Sequence, residues 1–370
     1  MKWPWNRYQT KSDQQHLALA HLPHVRWGAI DGPSLMRDGY IGNAVVYRCI
    51  RLIAEAAASI PIRASLPAVD AMLNTPSPDV SGRALREQLF ADLQITGGAW
   101  LEAITLPAEV RPKGLLAWPA IAARSVTDGN GRLVGHALRL RKGERLVRTD
   151  SQDWCPVLHL KLYNPADTKL GLSPMVAARR ALDLHNQAAT WAKSLIDNAA
   201  RPSGALVYGK TGAHMSDDQF ERLKHELRRD HAGPGNAGRP LLLEGGLDWK
   251  PMSLTPVEMD FRETRHAAAR EIAGVFGVPP MLLGIPGDST YANYREANAA
   301  FWRMSVLPLV NKAADALRVW LAGPYGDLDV TPDLENIPAF SAERDALWSR
   351  VSAADFLTDS EKRAMLGLGE

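Results

Sequence analysis

The chain has 370 residues, 46% of them hydrophobic, and a formal net charge of +2. That length can bury a core of ordinary size or build one elongated multi-part subunit. So balanced a charge argues against tight nucleic-acid binding driven by bulk electrostatics. Two cysteines, Cys49 and Cys155, supply neither a disulfide framework nor metal-ligand spacing, which suits a reducing cytoplasm. The opening residues lack the apolar run of a signal peptide. The longest stretch without a charged residue, Ile272–Gly287, is too short and too broken by Pro and Gly to span a bilayer. A soluble chain with no membrane partner is expected.

Residues 1–40 are mixed and polar, with Pro4, Pro23 and Pro33, and read as a loosely ordered arm. Asn43 opens a helical pattern through Val46, Ile50, Ile53 and Ala57 that ends at Pro61. Ser81 caps a second helix with Leu85, Leu89 and Leu93 on one face, stopped by Gly97-Gly98. Strands are predicted at Ala99–Leu106, Leu115–Trp118, Leu133–Arg141 and Val157–Leu162, with Asp128-Gly129-Asn130-Gly131 as hairpin-turn chemistry. Residues 41–165 thus form an α+β unit. Within it, residues 124–148 carry seven Arg/Lys against Asp128 and Glu144. From Gly323 onward ten acidic residues face four basic ones. Both runs read either as solvated surface or as faces for a charged partner.

Ser173-Pro174 combines an N-cap with proline at the first helical position, and nothing breaks the pattern before about Ala199. Some 26 residues at ~1.5 Å each make a rod of roughly 39 Å. Arg201-Pro202 ends it. A small unit fills 203–253: strand Gly204–Tyr208, a helix opened by the capping box Ser216–Gln219, a glycine-rich loop at His231–Gly238 and strand Leu241–Glu244. Thr255-Pro256-Val257-Glu258 starts another long helix, with Val257, Phe261, Ala268, Ile272 and Val275 on one side. Two long helices therefore flank an insert that must project from their far end. A loop at 279–293 follows, then a third long helix from about Tyr294 to Leu321, with a kink predicted at Pro308. The tail holds two helical pieces, the second opened by the box Thr358-Asp359-Ser360-Glu361 and closed at Gly367.

Catalytic motifs are thin. Gly204–Thr211 fits G-x-x-x-x-G-K-[ST], yet its four intervening residues are mostly bulky and read as the strand itself, and the next helix opens only at Ser216. Gly171–Met175 lacks the second glycine of a nucleophile elbow, so Ser173 is better used as a cap. His225-Glu226 has no second histidine at zinc-protease spacing. The other histidines are scattered, and Trp100, Trp118, Trp191, Trp302 and Trp320 lie in apolar patterns that suit core or interface. A nucleotide-hydrolysing reading rests on Gly204–Thr211, and a basic nucleic-acid-binding scaffold rests on 124–148.

Several segments, in order, resemble portal proteins of tailed phages of the Hong Kong 97 type. Tyr47–Glu55 is similar to that family's opening helix, and Leu73-Asn74-Thr75-Pro76-Ser77-Pro78 to its proline-rich turn. Gly97–Glu102 resembles its glycine–aromatic strand, with Trp100 where tyrosine is more usual. Gly171-Leu172-Ser173-Pro174, Gly235–Pro240 and Glu258–Arg265 resemble the first stem entry, the clip end and the second stem helix. Phe276-Gly277-Val278-Pro279-Pro280 and Thr290-Tyr291-Ala292-Asn293 complete the series, which covers about 41–322 with a weaker echo at the C-terminus.

The resemblance implies an α+β portal subunit and no enzyme, cofactor or metal. Its parts would be an arm at 1–40, a wing at 41–172, a first stem helix at 173–200, a clip at 201–254 and a second stem helix at 255–278. A tunnel loop at 279–293, a tunnel helix returning to the wing at 294–340 and crown helices at 341–370 would complete it. About twelve copies would ring one capsid vertex of a virion assembled in the bacterial cytoplasm, a conduit for packing and ejecting double-stranded DNA. Implied partners are the major capsid protein, the large terminase subunit and a head–tail adaptor. The DNA-facing loop would be Asp288, Ser289, Thr290, Tyr291, Ala292 and Asn293, polar or acidic rather than a cationic clamp. Lys210, Arg222, Arg228, Arg229, Asn236 and Arg239 would face the motor or adaptor from the clip. The alternating charges on 255–276, with Glu258 and Arg262 four apart, suit pairs within the helix or between subunits.

Overall fold

The computed structural model describes residues 31–366 except 107–108, 110, 150–153, 198–203, 252–260, 287–290 and 336; between 209 and 246 it describes Ser216, Asp218, Glu221, Arg222 and His225. Helix α1, Ala44–Ser59, starts where Asn43 accepts the backbone N–H groups of Val45 and Val46 at 3.0 and 3.1 Å. Its Val46, Ile50, Ile53 and Ala57 are buried, as their spacing predicts. Strand β1, Ile62–Ala64, and helix α2, Pro67–Asn74, follow. Helix α3, Gly82–Thr96, is capped by Ser81 and lies against α1. It stops at Gly97, which takes the left-handed φ of 80°.

Strands β2, Gly98–Ile104, and β3, Gly114–Trp118, come next. They are followed by β4, Ala123–Thr127, β5, Leu133–Arg139, β6, Glu144–Arg148, and β7, Val157–Lys161. They form two three-stranded antiparallel sheets, ordered β3-β2-β7 and β4-β5-β6. Residues 98–103 of β2 are buried without alternation, since both faces of this central strand are covered. Strand β6 lies outside the sequence prediction because Glu144–Arg148 is polar on both faces and lacks an apolar period.

A single turn at Pro174–Ala177 leads into helix α4, Arg179–Asp197. The unbroken rod expected from Ser173 is thus interrupted at Ala178, where ψ relaxes to 0° and the N–H turns to the carbonyls of Pro174 and Val176. Strands β8, Gly204–Tyr208, and β9, Leu247–Pro251, pair antiparallel. The predicted strand Leu241–Glu244 and helix start Thr255–Glu258 lie outside the described residues. Helix α5, Phe261–Val275, packs along α4.

Helix α6, Tyr291–Phe301, begins three residues before the predicted start at Tyr294. Tyr291, Ala292 and Asn293 therefore belong to a first helical turn and not to a loop; the three residues carry neither an apolar period nor a proline to mark that start in the sequence. A π-turn, Trp302–Val306, joins α6 to helix α7, Leu307–Tyr325. The expected irregularity at Pro308 is taken up by that wider turn just ahead of it, since proline has no N–H for the carbonyl four residues back. Pro324 lies within the last turn of α7, so the helix runs past the predicted end at Leu321. Strand β10, Val330–Pro332, returns to pair with β1, and Arg63 there stands 3.7 Å from Asp70 and 3.6 Å from Asp333. Helices α8, Ser341–Ser352, and α9, Asp359–Met365, close the description, α9 with the complete Thr358–Glu361 capping box.

Residues 31–40 depart from the expected loose arm. Asp31 caps the turn Gly32–Ser34, a π-turn spans Leu35–Ile41, and Leu35 is buried. The few apolar positions of this segment are too short a run to register as periodic, yet they find the main core. That core joins α1, α3, α5 and α7 around Ile50, Phe90, Ile272 and Leu321.

Candidate functional site

The segments that resemble known motifs are far apart in sequence, and the fold brings two of them into contact. A side chain on Gly97 would place its Cβ 2.6 Å from the backbone of Gly171 and Leu172, so both chains must be bare where they cross. Beside that crossing Ser173 Oγ donates to the Gln94 carbonyl at 2.8 Å and accepts the Met175 N–H at 3.1 Å. Ser173 is thus the cap expected from sequence, and it also binds the end of α3 to the start of the α4 rod.

A second joint is polar. Asn43 Nδ2 donates to Asn186 Oδ1 at 2.7 Å and lies 3.1 Å from His185 Nδ1, while Asn186 Nδ2 donates to the Asp38 carbonyl at 2.9 Å. Burial, and then the charge of Arg265 on α5, hold the His185 pKa below its ordinary value. Arg179 is buried with Nε 3.2 Å from Asp183 Oδ2 and Nη2 3.6 Å from Asp38 Oδ2. Arg265 beside His185, and the contact of the Pro174–Ala177 turn with α5, make α4 and α5 antiparallel. The segment 198–260, including the β8–β9 pair, accordingly leaves and returns at one end of this helix pair.

At the other end α5 runs into Phe276 and Val278, both buried, around Gly277 at φ 65°. The Val278 N–H reaches back to the Ala273 carbonyl at 2.9 Å, and Ser305 Oγ in the π-turn donates to the Gly277 carbonyl at 2.7 Å. Pro279 precedes the tight turn Pro280–Leu283, which ends at Gly284, φ 71°. Double proline and positive-φ glycine thus fix a sharp exit from α5 before α6 starts.

Among the residues expected to face DNA, Asp288, Ser289 and Thr290 lie outside the described residues. Tyr291 and Ala292 are in the first turn of α6, where Asn293 is exposed, followed by exposed Tyr294, Arg295 and Glu296. Among the expected clip residues Arg222 is exposed, while Lys210, Arg228, Arg229, Asn236 and Arg239 lie outside the described residues. The phosphate-loop pattern loses its first half: Gly204–Tyr208 is an extended strand paired with β9, not a loop curled so that successive amides converge on an anion. Lys210 and Thr211 lie outside the described residues.

Sequence reasoning missed three arrangements. Glu102, 4% exposed, accepts Trp118 Nε1–H at 2.7 Å and Arg145 Nη1–H at 3.0 Å. Ser125, His136 and His159 converge, although the histidines looked scattered. Asp92, on α3, has its pKa pushed up to about 7 by burial. Each depends on strand pairing or packing between distant segments, for which no local spacing signal exists. Cys49 is buried and its thiol is pushed up to about 12, an inert core residue. Among the described residues, no cluster of three or more His, Cys, Asp or Glu is placed to hold a metal, and no helix is long and apolar enough to cross a membrane.

Paired long helices that carry a small β unit at one end, and a mixed α+β unit tied to them by buried joints, define a structural subunit. Residues 44–367 match the model of the phage portal protein family. A protein of Rickettsia bellii (strain RML369-C) is 38% identical over 376 residues, which cover 98% of this chain and 95% of that protein. A chain from the neck of a native gene transfer agent particle, computed with C12 symmetry, is 46% identical, covering 92% of this chain and 94% of its own length with a TM-score of 0.72. A Hong Kong 97 family portal protein from Corynebacterium diphtheriae shares the fold at 16% identity, TM-score 0.59, over 80% of this chain and 96% of that one. The chain belongs to the phage portal protein family, of the Hong Kong 97 type, and is a portal subunit.

Proposed function

We propose that about twelve copies of this chain close into a ring at the neck of a gene-transfer-agent-like or phage-like particle, and that double-stranded DNA is packed and released through the ring. The observation that carries the reading is the 46% identity, over nearly the whole of both chains, with a chain from a gene transfer agent neck computed with C12 symmetry. The α4–α5 pair is the stem, the 201–254 segment the clip that meets a packaging motor and a head–tail adaptor, and 41–172 the wing toward the capsid shell. Residues 279–293 and the start of α6 line the channel. The helices after 341 form a short crown.

A conduit must let DNA slide. Phosphate contacts repeated around a ring would multiply into a clamp, and the segment Asp288–Asn293 contains no basic residue. Exposed Arg295 is followed by exposed Glu296. Channel contact is therefore weak and indifferent to sequence.

The deciding measurement is the mass of the purified chain in solution, followed by electron-microscope views along the particle axis. A closed ring of about a dozen subunits with a central hole is expected. A compact monomer or dimer that hydrolyses ATP, with activity lost in Lys210→Ala, would overturn the reading in favour of a nucleotide-using enzyme. Duplex DNA should bind the ring weakly; tight binding with a steep salt dependence would refute a sliding channel.

A further inference from the structure

Between the β4–β5 hairpin and strand β7 lies a cleft of about 470 Å³ that the conduit reading does not use. Its back wall is built by an unusual joint at the end of α7. Pro324 has no N–H to give the Trp320 carbonyl, and Trp154 Nε1–H takes that place at 2.9 Å. Trp320 Nε1–H in turn reaches the Cys155 carbonyl at 2.8 Å, and the two indoles stack with centroids 6.1 Å apart. Gly323 is needed there, since a Cβ would stand 2.5 Å from the Trp154 ring. The wall is rigid and braced by proline chemistry.

Among the described residues the charged lining has one sign. Lys161 and Lys169 enter from β7 and the loop after it, Ser125 and Thr127 from β4, His136 from β5 and His159 from β7. Among the described residues that line the cleft, none is acidic. Of the described carboxylates next in the chain to the lining, Asp167 accepts the Lys169 backbone N–H at 2.7 Å, and Asp128, after Thr127, accepts the Asn130 and Arg132 N–H groups at 2.9 Å. Lys161 Nζ donates to the Thr168 carbonyl and keeps further N–H donors. Ser125 Oγ lies 3.3 Å from Nδ1 of both His136 and His159, and His159 stacks on Trp100 at 4.0 Å. One hydroxyl has a single proton, so it donates to one imidazole and accepts from the other. Two ammonium groups, hydroxyls that can turn their protons, and imidazoles able to gain one make a donor set that favours an oxyanion.

We propose that this cleft binds a phosphate group, held by Lys161, Lys169 and Ser125, with His136 gaining positive charge as it enters. Their depressed basicity agrees with the site's sign: burial first, then the charge of Lys161, lowers His136 to about 4, and burial, His136 and Lys161 lower His159 to about 3. Among the described residues, the titratable groups facing these imidazoles are each other, Lys161 on β7, and Lys169 and Cys155 on the walls of the cleft. An entering dianion reverses that field, so binding is coupled to proton uptake at His136. Phosphate itself gains a proton over the same range, so the pH dependence is read with sulfate, a tetrahedral dianion of constant charge that should bind more tightly at pH 6 than at pH 8.

The test is calorimetric titration of the purified full chain at constant ionic strength with inorganic phosphate at pH 8, and with sulfate, whose charge is constant, at pH 6 and pH 8 in two buffers of different ionisation heat. One site per chain is expected, tighter at pH 6, with a buffer-dependent heat that reports proton uptake. Lys161→Ala should weaken binding roughly tenfold, and Lys169→Ala, on the exposed loop, supplies a second variant should the first fail to fold. His136→Gln should reduce the proton uptake. No saturable heat, or affinity unchanged in both lysine variants, overturns the site. Competition decides the source: displacement by a short duplex assigns it to backbone phosphates of nucleic acid, and displacement by a nucleoside monophosphate alone assigns it to a free phosphorylated molecule. A ring that assembles normally and ignores phosphate would refute this site and leave the portal reading intact.

Discussion

In the helical body Ile50, Ile53, Phe90, Leu93 and Leu321 are enclosed by other apolar side chains of α1, α3, α5 and α7. Between the two three-stranded sheets, a second cluster of Trp100, Trp118, Ala120 and Val157 is edged by Glu102, Arg145, Ser125, His136 and His159. The first region gains stability from area removed from water, a term that tolerates small rearrangements and is indifferent to pH. The second buries many polar groups, most of them paired, while Trp100 Nε1 and His159 Nε2 find no hydrogen-bond partner among the described residues, so it is more fragile to a change of protonation. A subunit that holds a ring while cargo passes needs a body that does not soften with solution conditions. Its sheets can tolerate chemical sensitivity.

The largest effect that would sharpen this contrast is truncation in the body. Phe90 is fully buried, and Phe90→Ala should cost about 3–5 kcal/mol through lost transfer energy and a residual cavity. Urea unfolding of the chain at pH 7 checks this, and the loss should be the same at pH 6. A cost below about 1 kcal/mol would mean the body is loosely packed, and the contrast would fail.

A smaller but more diagnostic effect belongs to Glu102. Glu102→Ala strands the buried Trp118 N–H, at a cost of about 1–3 kcal/mol, while half-exposed Arg145 is free to turn to water. Glu102→Gln keeps an acceptor for the indole and should recover most of the loss. Equal destabilisation by both variants would show that charge on Glu102, not satisfaction of Trp118, is what the sheets require.

The pH response should also separate the regions. His136 and His159 have folded pKa values below 6.5, so below that pH the unfolded chain takes up protons that the folded chain refuses. Their contribution is present above pH 6.5 and is lost as pH falls toward about 4 and then 3. Asp92 lies where α3 meets the second cluster, accepting the Ala120 backbone N–H, and works in the opposite direction. Its folded pKa of about 7 lies above the ordinary 3.8, so the folded chain holds an extra proton between those values and its contribution fades as pH rises through 7. His159→Gln should flatten the acid side of the stability profile, and Asp92→Asn should flatten the fall near pH 7. Unfolding midpoints measured from pH 4 to 8 would expose a wrong sign at once.

The same contrast explains what could be read in advance. The caps Asn43, Ser81, Ser173 and Thr358 were legible because a capping side chain bonds its own neighbours within three residues. The body's helices were legible because burial imprints a helical period on the sequence, and the strands at 98–104, 114–118, 133–139 and 157–161 because they are short apolar runs bounded by turn residues. The Ser125–His136–His159 meeting was not, since it follows from the pairings of His136 with Ser125 and of Trp100 with His159. Local composition does not encode such a register. The second role of Asn43 was hidden for the same reason: its partners His185 and Asn186 come from a helix more than a hundred residues later. The family motifs were legible as a series. Why Gly97 and Gly171 both occur became apparent only where their backbones cross.

The smallest effect lies beyond both clusters, at α9. Thr358 Oγ1 accepts the Glu361 N–H at 3.3 Å, and the Glu361 carboxylate accepts the Thr358 N–H at 2.8 Å. That backbone bond, with the Thr358 hydroxyl, holds the exposed Glu361 carboxyl below the usual carboxylate range. Because α9 is short and buries no residue, the box has little packing to assist it. Thr358→Ala should therefore speed hydrogen exchange of the α9 amides roughly fivefold and leave global unfolding unchanged. The effect should shrink in the unmodified chain as acid protonates Glu361, since a depressed carboxylate contributes above its folded pKa and not below it. A shift in the global midpoint instead would show that α9 is coupled to the body through contacts its exposed surface does not reveal.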